Sequence, residues 1–265
     1  MMEALRAKVA QLLKEKAISG FLGLKLEHGH PSPFLFTGEE GLDLLVVSDT
    51  RFPLTKLLQR LTSKYPEEKF GVMVRGCDER SLIELHKDNQ VNLEHLVTVG
   101  VACSQELAQR CGCKVPYPSQ FEVGEPATGV EGGGELESIE GMAEDERFNF
   151  WMEQFGKCIK CYGCRNSCPL CYCSECTLED SFLVPPGETP PKAPIFHLIR
   201  AFHTVGRCID CGLCEEACPV GIPLRTIYKK LGQVVSELFG YSPGKEVEGR
   251  SPLSFLGEKP FKEQG

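Results

Sequence analysis

Short apolar runs and amphipathic stretches alternate along the first half of the chain. Three of the apolar runs are continuous, rich in Val and short enough to be buried strands: "DLLVV" (43–47), "FGVMV" (70–74) and "HLVTVGV" (95–101). Such runs are typical of parallel strands that are covered on both faces. The sequence between them predicts two helices, one with Pro53 near its first turn and one with Asp78 as its N-cap. This alternation predicts an α/β domain with a parallel-type layer.

The rest of the pattern divides the chain into further parts. An amphipathic helix opens the chain, and Gly20 is expected to end it. The stretch from Val115 to Glu146 has nine acidic residues, six glycines and no Lys or Arg, which predicts a solvated linker. After it, "ERFNFWMEQFG" predicts a helix whose aromatics pack on a cysteine-rich core, and a Pro-rich insert follows at 184–194. The sequence predicts an α/β domain with four cysteines at 1–118 and an acidic linker at 119–144. It then predicts an α+β cysteine-rich domain at 145–240 and a polar tail, loose or docked on a partner, at 241–265.

Composition narrows the class of protein. The chain has 265 residues, a formal net charge of −8 and a sequence pI near 5.4, which argues against a nucleic-acid partner. No run approaches the roughly 18 apolar residues of a membrane span, and the first residues lack the apolar core of a signal peptide. We therefore expect a soluble, cytoplasmic protein without a membrane span. In a reducing cytosol, its 15 cysteines indicate metal binding rather than a disulfide framework.

Two cysteine runs share one spacing. Each follows C-x2-C-x2-C-x3-C and is followed by a proline, first at Cys158, Cys161, Cys164 and Cys168, then at Cys208, Cys211, Cys214 and Cys218. This is the bacterial ferredoxin pattern for two [4Fe–4S] clusters, in which the fourth cysteine of each run binds the other cluster. The predicted ligands of the first cluster are Cys158, Cys161, Cys164 and Cys218. Those of the second cluster are Cys208, Cys211, Cys214 and Cys168.

Other uses of these cysteines fit the spacing less well. Structural zinc prefers two separated cysteine pairs, which leaves a zinc-binding adaptor as a weak alternative, and a thioredoxin-like motif needs only one C-x2-C. The segment "PLCYCSEC" adds three cysteines that the two clusters do not need: Cys171, Cys173 and Cys176. The spacing leaves two interpretations open for them, packed thiols or ligands of another centre.

Four more cysteines lie in the α/β domain. Cys77 follows one predicted strand at the start of the next helix, and Cys103 follows the next strand. Adjacent carboxyl ends of parallel strands face one crevice, so the topology brings these two thiols together. Cys111 and Cys113 follow shortly afterwards in "CGC".

The segment that contains Cys77 and Cys103 resembles a known family. The segment "GVMVRGCDERSLIELHKDNQVNLEHLVTVGVAC" is similar to the beta subunits of deazaflavin-reducing hydrogenases and formate dehydrogenases, and to iron–sulfur subunits of heterodisulfide-reductase-type complexes in anaerobes. The resemblance covers roughly residues 20–125. It implies a third [4Fe–4S] cluster held by Cys77, Cys103 and a later cysteine pair, which is either Cys111 with Cys113 or Cys173 with Cys176. The ferredoxin module follows the α/β domain here, whereas it precedes that domain in several relatives.

These features predict an electron-transfer subunit of an anaerobic, multisubunit oxidoreductase that relays single electrons between the redox centres of its partner subunits. The alternative is a flavin-binding subunit that acts on a deazaflavin, nicotinamide or ferredoxin. The resemblance admits FAD, but no G-x-G-x-x-G motif follows a strand to support it. We identify no catalytic residues. Three histidines lie on predicted helices and are expected on the surface or in packing: His86, His197 and His203. Four cations lie beside the cysteines and would raise the reduction potentials of the clusters: Lys157, Lys160, Arg165 and Arg207.

Overall fold

The structure is a computed structural model, and it describes residues 2–130, 134–189 and 194–253. The first half contains four helices and five strands: α1 (Met2–Lys14), β1 (Gly20–Glu27), β2 (His30–Phe36), β3 (Leu45–Val46), α2 (Leu54–Lys64), β4 (Phe70–Val74), α3 (Gly76–Lys87), β5 (Leu96–Gly100) and α4 (Gln105–Cys111). The described part of the second half contains six helices: α5 (Gly134–Glu140), α6 (Glu144–Gly156), α7 (Gly163–Asn166), α8 (Ile195–Thr204), α9 (Leu213–Glu216) and α10 (Leu224–Phe239).

The strands form one mixed sheet in the order β2-β1-β4-β5, and β3 also pairs with β1. The strands β1, β4 and β5 are parallel, with Phe70 opposite Leu96 and Val74 opposite Gly100. The α/β prediction is confirmed. The prediction of a parallel strand at 43–47 is wrong. This run forms a 3-10 turn and only two strand residues, which pair antiparallel with β1.

The hairpin of β1 and β2 is a feature that the hydrophobic pattern missed. Its two-residue turn, His28 and Gly29, has positive φ at both positions (52° and 79°), which suits the right-handed twist of the strands. Two helix boundaries also differ from prediction. Gly20 starts β1 rather than ending α1. The helix α3 begins at Gly76, and Asp78 lies in its first turn, where its carboxylate accepts a hydrogen bond from the backbone N–H of Arg75 at 3.0 Å.

Two hydrophobic cores position the cysteines. The first surrounds the sheet, contains buried residues such as Phe21 and Leu58, and continues into the second half through Leu170 and Ile209. The second core packs around the cysteine runs and includes Phe196 and residues from α10. The aromatic ring of Phe155 on α6 packs against this second core, as predicted for that helix. The cysteine runs therefore lie between the sheet and the helices α8 and α10.

The acidic segment and the tail both contact the rest of the chain. In the acidic segment, Val123 forms a parallel bridge with Val101, and α5 buries Leu136 and Ile139. The prediction of a purely solvated linker is therefore corrected for these residues. In the tail, the hydroxyl of Tyr241 donates to the carboxylate of Glu84 on α3 at 3.0 Å, so this part docks on the chain itself.

Two other predictions, the Pro-rich insert and the absence of a membrane span, can be compared only with the described residues. Residues 190–193 of the Pro-rich insert lie outside them. Among the helices that are described, none combines the length and the apolar character needed to cross a bilayer.

Candidate metal centres

The two cysteine runs have closely similar backbone conformations. The residue two positions after the first cysteine has positive φ in both runs, at Lys160 (50°) and Asp210 (54°), and so does the residue after the second cysteine, at Tyr162 (58°) and Gly212 (75°). Left-handed conformations are uncommon for residues other than glycine and cluster at functional sites. They turn backbone N–H groups toward thiols: the N–H of Lys160 donates to Cys158 Sγ at 3.4 Å. The shared spacing therefore produces a shared loop.

The first cavity brings together cysteines from both runs. It is lined by three thiols of the first run and by the last thiol of the second run: Cys158, Cys161, Cys164 and Cys218. Its remaining wall is mainly apolar and includes Phe196, Ile222 and Leu224. The backbone N–H of Ile222 donates to Cys218 Sγ at 3.4 Å. The cavity therefore has the crossed composition that the spacing predicts.

The second cavity has the reciprocal composition. It is lined by three thiols of the second run and by the last thiol of the first run: Cys208, Cys211, Cys214 and Cys168. Burial raises the pKa of the Cys208 thiol to about 12, and it raises the pKa values of Cys211 and Cys214 as well. At neutral pH these thiols are protonated when no metal is bound to them.

Arg200 lies beside the second cavity and is 2% exposed. Its guanidinium donates to Cys171 Sγ at 3.1 Å and lies over the ring of Tyr228. The thiols of Cys168 and Cys171 also hydrogen-bond to each other, and this contact lowers the pKa of Cys168. Cys171 therefore contacts a predicted ligand from outside the cavity.

The third cavity collects all four cysteines of the first half: Cys77, Cys103, Cys111 and Cys113. Cys77 lies in the first turn of α3, and Cys103 follows β5, so both lie at the carboxyl edge of the sheet. Cys111 ends α4, and Gly112 reverses the chain with φ of 50°, which returns Cys113 to the same cavity. The cavity wall includes Arg51, Arg75 and Arg80 from the first half.

The second half completes the wall of this third cavity. Three of its residues line the cavity: Asp210, Cys211 and Arg225. Burial raises the pKa of Cys77 to about 12 and that of Cys103 to about 11. The third cavity is therefore a site shared by both halves of the chain.

The three additional cysteines line a different and larger cavity of 730 Å³, called the basic cavity below. The thiols are Cys171, Cys173 and Cys176, and five cationic side chains share the wall with them: Lys56, Arg60, Arg165, Arg200 and Arg207. The structure thus separates Cys173 and Cys176 from Cys77 and Cys103.

The cations predicted beside the clusters fall into two groups. Arg207 lines the second cavity, and it also pairs with Asp88 at 2.8 Å. The lining of the first cavity does not include the other three, whose side chains bond elsewhere: Lys157 to Gln154, Lys160 to the carbonyl oxygen of Pro185, and Arg165 to Glu179.

The three histidines differ in their surroundings. His86 contacts the carbonyl oxygen of Val91 through Nδ1 at 3.1 Å, and His203 is exposed. His197 is 2% exposed and lines the first cavity. Sequence reasoning missed this location. The only available signal was its position in an apolar helix between the two cysteine runs.

The donor sets of the three cavities suit iron–sulfur clusters, because each cavity is lined by at least four cysteines. Iron binding would displace the protons that burial retains on thiols such as Cys77 and Cys208. Within the described ranges, no three His, Cys, Asp or Glu side chains converge on a point where they would hold a single metal ion.

Comparisons with known proteins agree with this composition. Residues 204–223, which contain the whole second cysteine run, match the family described as "4Fe-4S binding domain". The chain is 46% identical over 94 residues to the F420-dependent formate dehydrogenase subunit beta of Methanocaldococcus jannaschii, covering 36% of this chain and 25% of that protein. It is 40% identical over 110 residues to the F420-dependent formate dehydrogenase 1 subunit beta of Methanococcus maripaludis, covering 42% of this chain and 28% of that protein.

These matches confirm the resemblance to formate dehydrogenase beta subunits and the presence of a 4Fe–4S binding module. The chain spans about a quarter of the length of the curated relatives that it matches. The module identifies the chain as an iron–sulfur protein of the electron-transport type.

Proposed function

We propose that the chain is the iron–sulfur electron-transfer subunit of a formate-dehydrogenase-type oxidoreductase. It would hold three [4Fe–4S] clusters and relay single electrons between the redox centres of its partner subunits. The observation that carries this proposal is that twelve cysteines line three cavities, with Cys211 shared between the second and the third. When bound, a cubane accepts and releases one electron at a time, which is the chemistry that such a relay requires.

Crossed ligation of the first two clusters is supported by the composition of their cavities. Cys218 lines the first cavity although it belongs to the second run, and Cys168 lines the second cavity although it belongs to the first. The short helices of the two runs also contact each other, because Ser167 Oγ donates to the carbonyl oxygen of Leu213 at 3.1 Å. This is the arrangement expected for a dicluster ferredoxin module.

For the third cluster, the cavity composition favours Cys111 and Cys113 as the later cysteine pair. They line one cavity with Cys77 and Cys103, whereas Cys173 lines the basic cavity. Arg51, Arg75 and Arg80 would offset the negative charge of thiolates at this site. We therefore assign the third cluster to the four cysteines of the first half.

The lining residues also support an order for the relay. The second and third cavities share Cys211 and Arg225, so their contents would be neighbours. The first and second cavities are joined by the crossed ligands Cys168 and Cys218. Among the described residues, none lines both the first and the third cavity. The second cluster is therefore proposed to lie between the other two.

The proposed function is tested by iron content and electron uptake. Anaerobically purified full-length chain should contain about 12 iron atoms and accept about three electrons from dithionite. Without partner subunits it should not oxidise formate, reduced nicotinamide or reduced deazaflavin, whether or not FAD is added, because splitting a hydride requires a two-electron centre. The partner test is anaerobic co-purification with a formate-dehydrogenase-type catalytic subunit from the native source.

Two results would contradict the proposal. An iron content of about four atoms per chain or fewer would show that the chain holds at most one cluster and cannot act as a relay. Steady turnover of a two-electron donor by the purified chain, with flavin bound, would favour the alternative of a flavin-dependent subunit.

A further inference from the structure

His197 is a buried imidazole whose polar atoms have no partner among the described residues. The residue is 2% exposed, and neither Nδ1 nor Nε2 takes part in a hydrogen bond there. Leaving a buried polar group unpaired is unfavourable, because the group loses its hydrogen bonds to water. Because such groups are rare in folded proteins, an unpaired one indicates a partner that the polypeptide itself does not supply.

Aromatic packing fixes the orientation of this ring. The ring of Phe155 stacks on it with a centroid distance of 4.6 Å and an interplanar angle of 12°, and Phe196 contacts it at 5.2 Å and 78°. Stacking covers a face of the imidazole, whereas both nitrogens lie on its edge. His197 also forms part of the wall of the first cavity, which Cys158 and Cys164 line. An acceptor held in that cavity would therefore be a neighbour of the ring.

The surroundings of the ring also affect its pKa and its role as a hydrogen-bond donor. Burial, helped by the cation of Arg200, lowers the pKa of His197 to about 4. An imidazole has at least one N–H donor, whether it is neutral or charged. Protein atoms in the described ranges supply no acceptor for this donor.

We infer that His197 donates its ring N–H to a sulfide of the first cluster and thereby raises the reduction potential of that cluster. This inference rests on the proposed function, because it requires a cluster at the first cavity. Hydrogen bonds to the sulfurs are one of the factors that set cluster potentials. Reduction adds negative charge, so the donor stabilises the reduced state more than the oxidised one. His197 would thus tune the reduction potential of the first cluster without binding its iron.

Two variants of similar length separate hydrogen bonding from packing. His197→Gln retains an N–H donor, and His197→Met does not. In redox titrations of the full chain followed by EPR, we expect the first cluster of His197→Met to have an equilibrium constant for reduction at least tenfold below wild type, which is 59 mV for a one-electron couple. The Gln variant should lie closer to wild type. The potential of the second cluster should be the same in all three proteins.

Phe155→Leu is the matched control, because it removes the stacked ring but leaves the donor. It should leave the potential of the first cluster near the wild-type value. A shift as large as that of His197→Met would assign the effect to packing and overturn the inference. Equal potentials in wild type, His197→Gln and His197→Met would also overturn it, and would assign a buried water to the imidazole.

A measurement on wild-type protein covers the case in which the variants lose the cluster. With ¹⁵N-labelled histidine, pulsed EPR of the reduced first cluster should detect a coupling to an imidazole nitrogen, and its absence would overturn the inference. Iron content and the first-cluster signal of the wild-type chain are measured first. Their absence would contradict the proposed function itself, whereas an intact cluster without the coupling contradicts only the role of His197.

Discussion

The guanidinium of Arg51 donates a hydrogen bond to the carbonyl oxygen of Cys211 at 2.6 Å, and this contact joins the two halves of the chain. The side chain of Arg51 is 8% exposed and also pairs with Glu216 on α9. Arg51 lines the third cavity, where its positive charge lies near the thiols of Cys77 and Cys111. One cation therefore connects the interface between the halves with the electrostatics of the third cavity.

Replacing Arg51 with Gln removes the charge but retains an amide donor. We expect the free energy of unfolding to fall by about 1.5–3 kcal/mol, the range for a hydrogen bond that involves a charged group. Iron content should fall from about 12 toward about 8 atoms per chain as the third cluster is lost. Chemical denaturation and iron analysis test both effects. Arg110→Gln is the control, because Arg110 also donates to a backbone carbonyl, that of Asp49, but lies on an exposed surface. Equal losses in the two variants would contradict a special role for Arg51.

Cys168→Ser tests the crossed arrangement. Cys168 belongs to the first run but lines the second cavity, so its replacement should damage the second cluster and leave the first intact. EPR of the reduced protein separates the two signals. Cys161→Ser, which alters the first cavity, is the matched control. If Cys168→Ser changed only the signal that Cys161→Ser changes, ligation would not be crossed.

The third cluster is tested by comparing two cysteines that the sequence alone left as alternatives. Cys111→Ser should reduce the iron content by about four atoms per chain, because Cys111 lines the third cavity. Cys173→Ser should leave iron unchanged, because Cys173 lines the basic cavity instead. Iron and sulfide analysis of both full-length variants decides between them. The opposite pattern would transfer the third cluster to the segment from Cys171 to Cys176.

Tyr241→Phe tests the docking of the tail. The Tyr241 hydroxyl donates to Glu84, which is 2% exposed and also accepts hydrogen bonds from Lys87 and from the backbone N–H of Gly244. Removing the hydroxyl should lower the free energy of unfolding by about 1–2 kcal/mol and speed proteolysis after residue 240. Tyr65→Phe, at an exposed ring, should change neither. A tail that is cut equally fast in wild type and Tyr241→Phe would show that this contact does not hold it.

Hydrophobic patterning identified β4, which is buried along its whole length, and β5, which is buried only at its last two residues. The strands at 70–74 and 95–101 and the helices between the apolar runs were predicted because their apolar residues are continuous or regularly spaced. The strand β2 was not, because Pro31 and Pro33 argue against a strand inside a sheet. The structure places β2 at an edge, where a missing N–H is tolerated. Edge position depends on the order of strands, which local sequence does not contain.

The candidate site was predicted to a similar extent. Spacing alone grouped the eight cysteines of the two runs as the cavities do, although their ligation stays a prediction. The role of His197 and the basic cavity could not be predicted, because both depend on packing between distant segments. Lys56, for example, reaches that cavity and donates to the carbonyl oxygen of Arg165, 109 positions later. Contacts of this range have no local pattern.

The crossed cavities have a consequence for biogenesis. The first cavity needs Cys218 for its fourth thiol, the second needs Cys214, and the third is walled by Arg225. During translation, none of the three cavities can close until the ribosome has made most of the chain. We therefore expect iron insertion to begin only after the ribosome has synthesised both cysteine runs and Arg225. The delivery machinery would then meet all three sites at once, rather than one after another along the nascent chain.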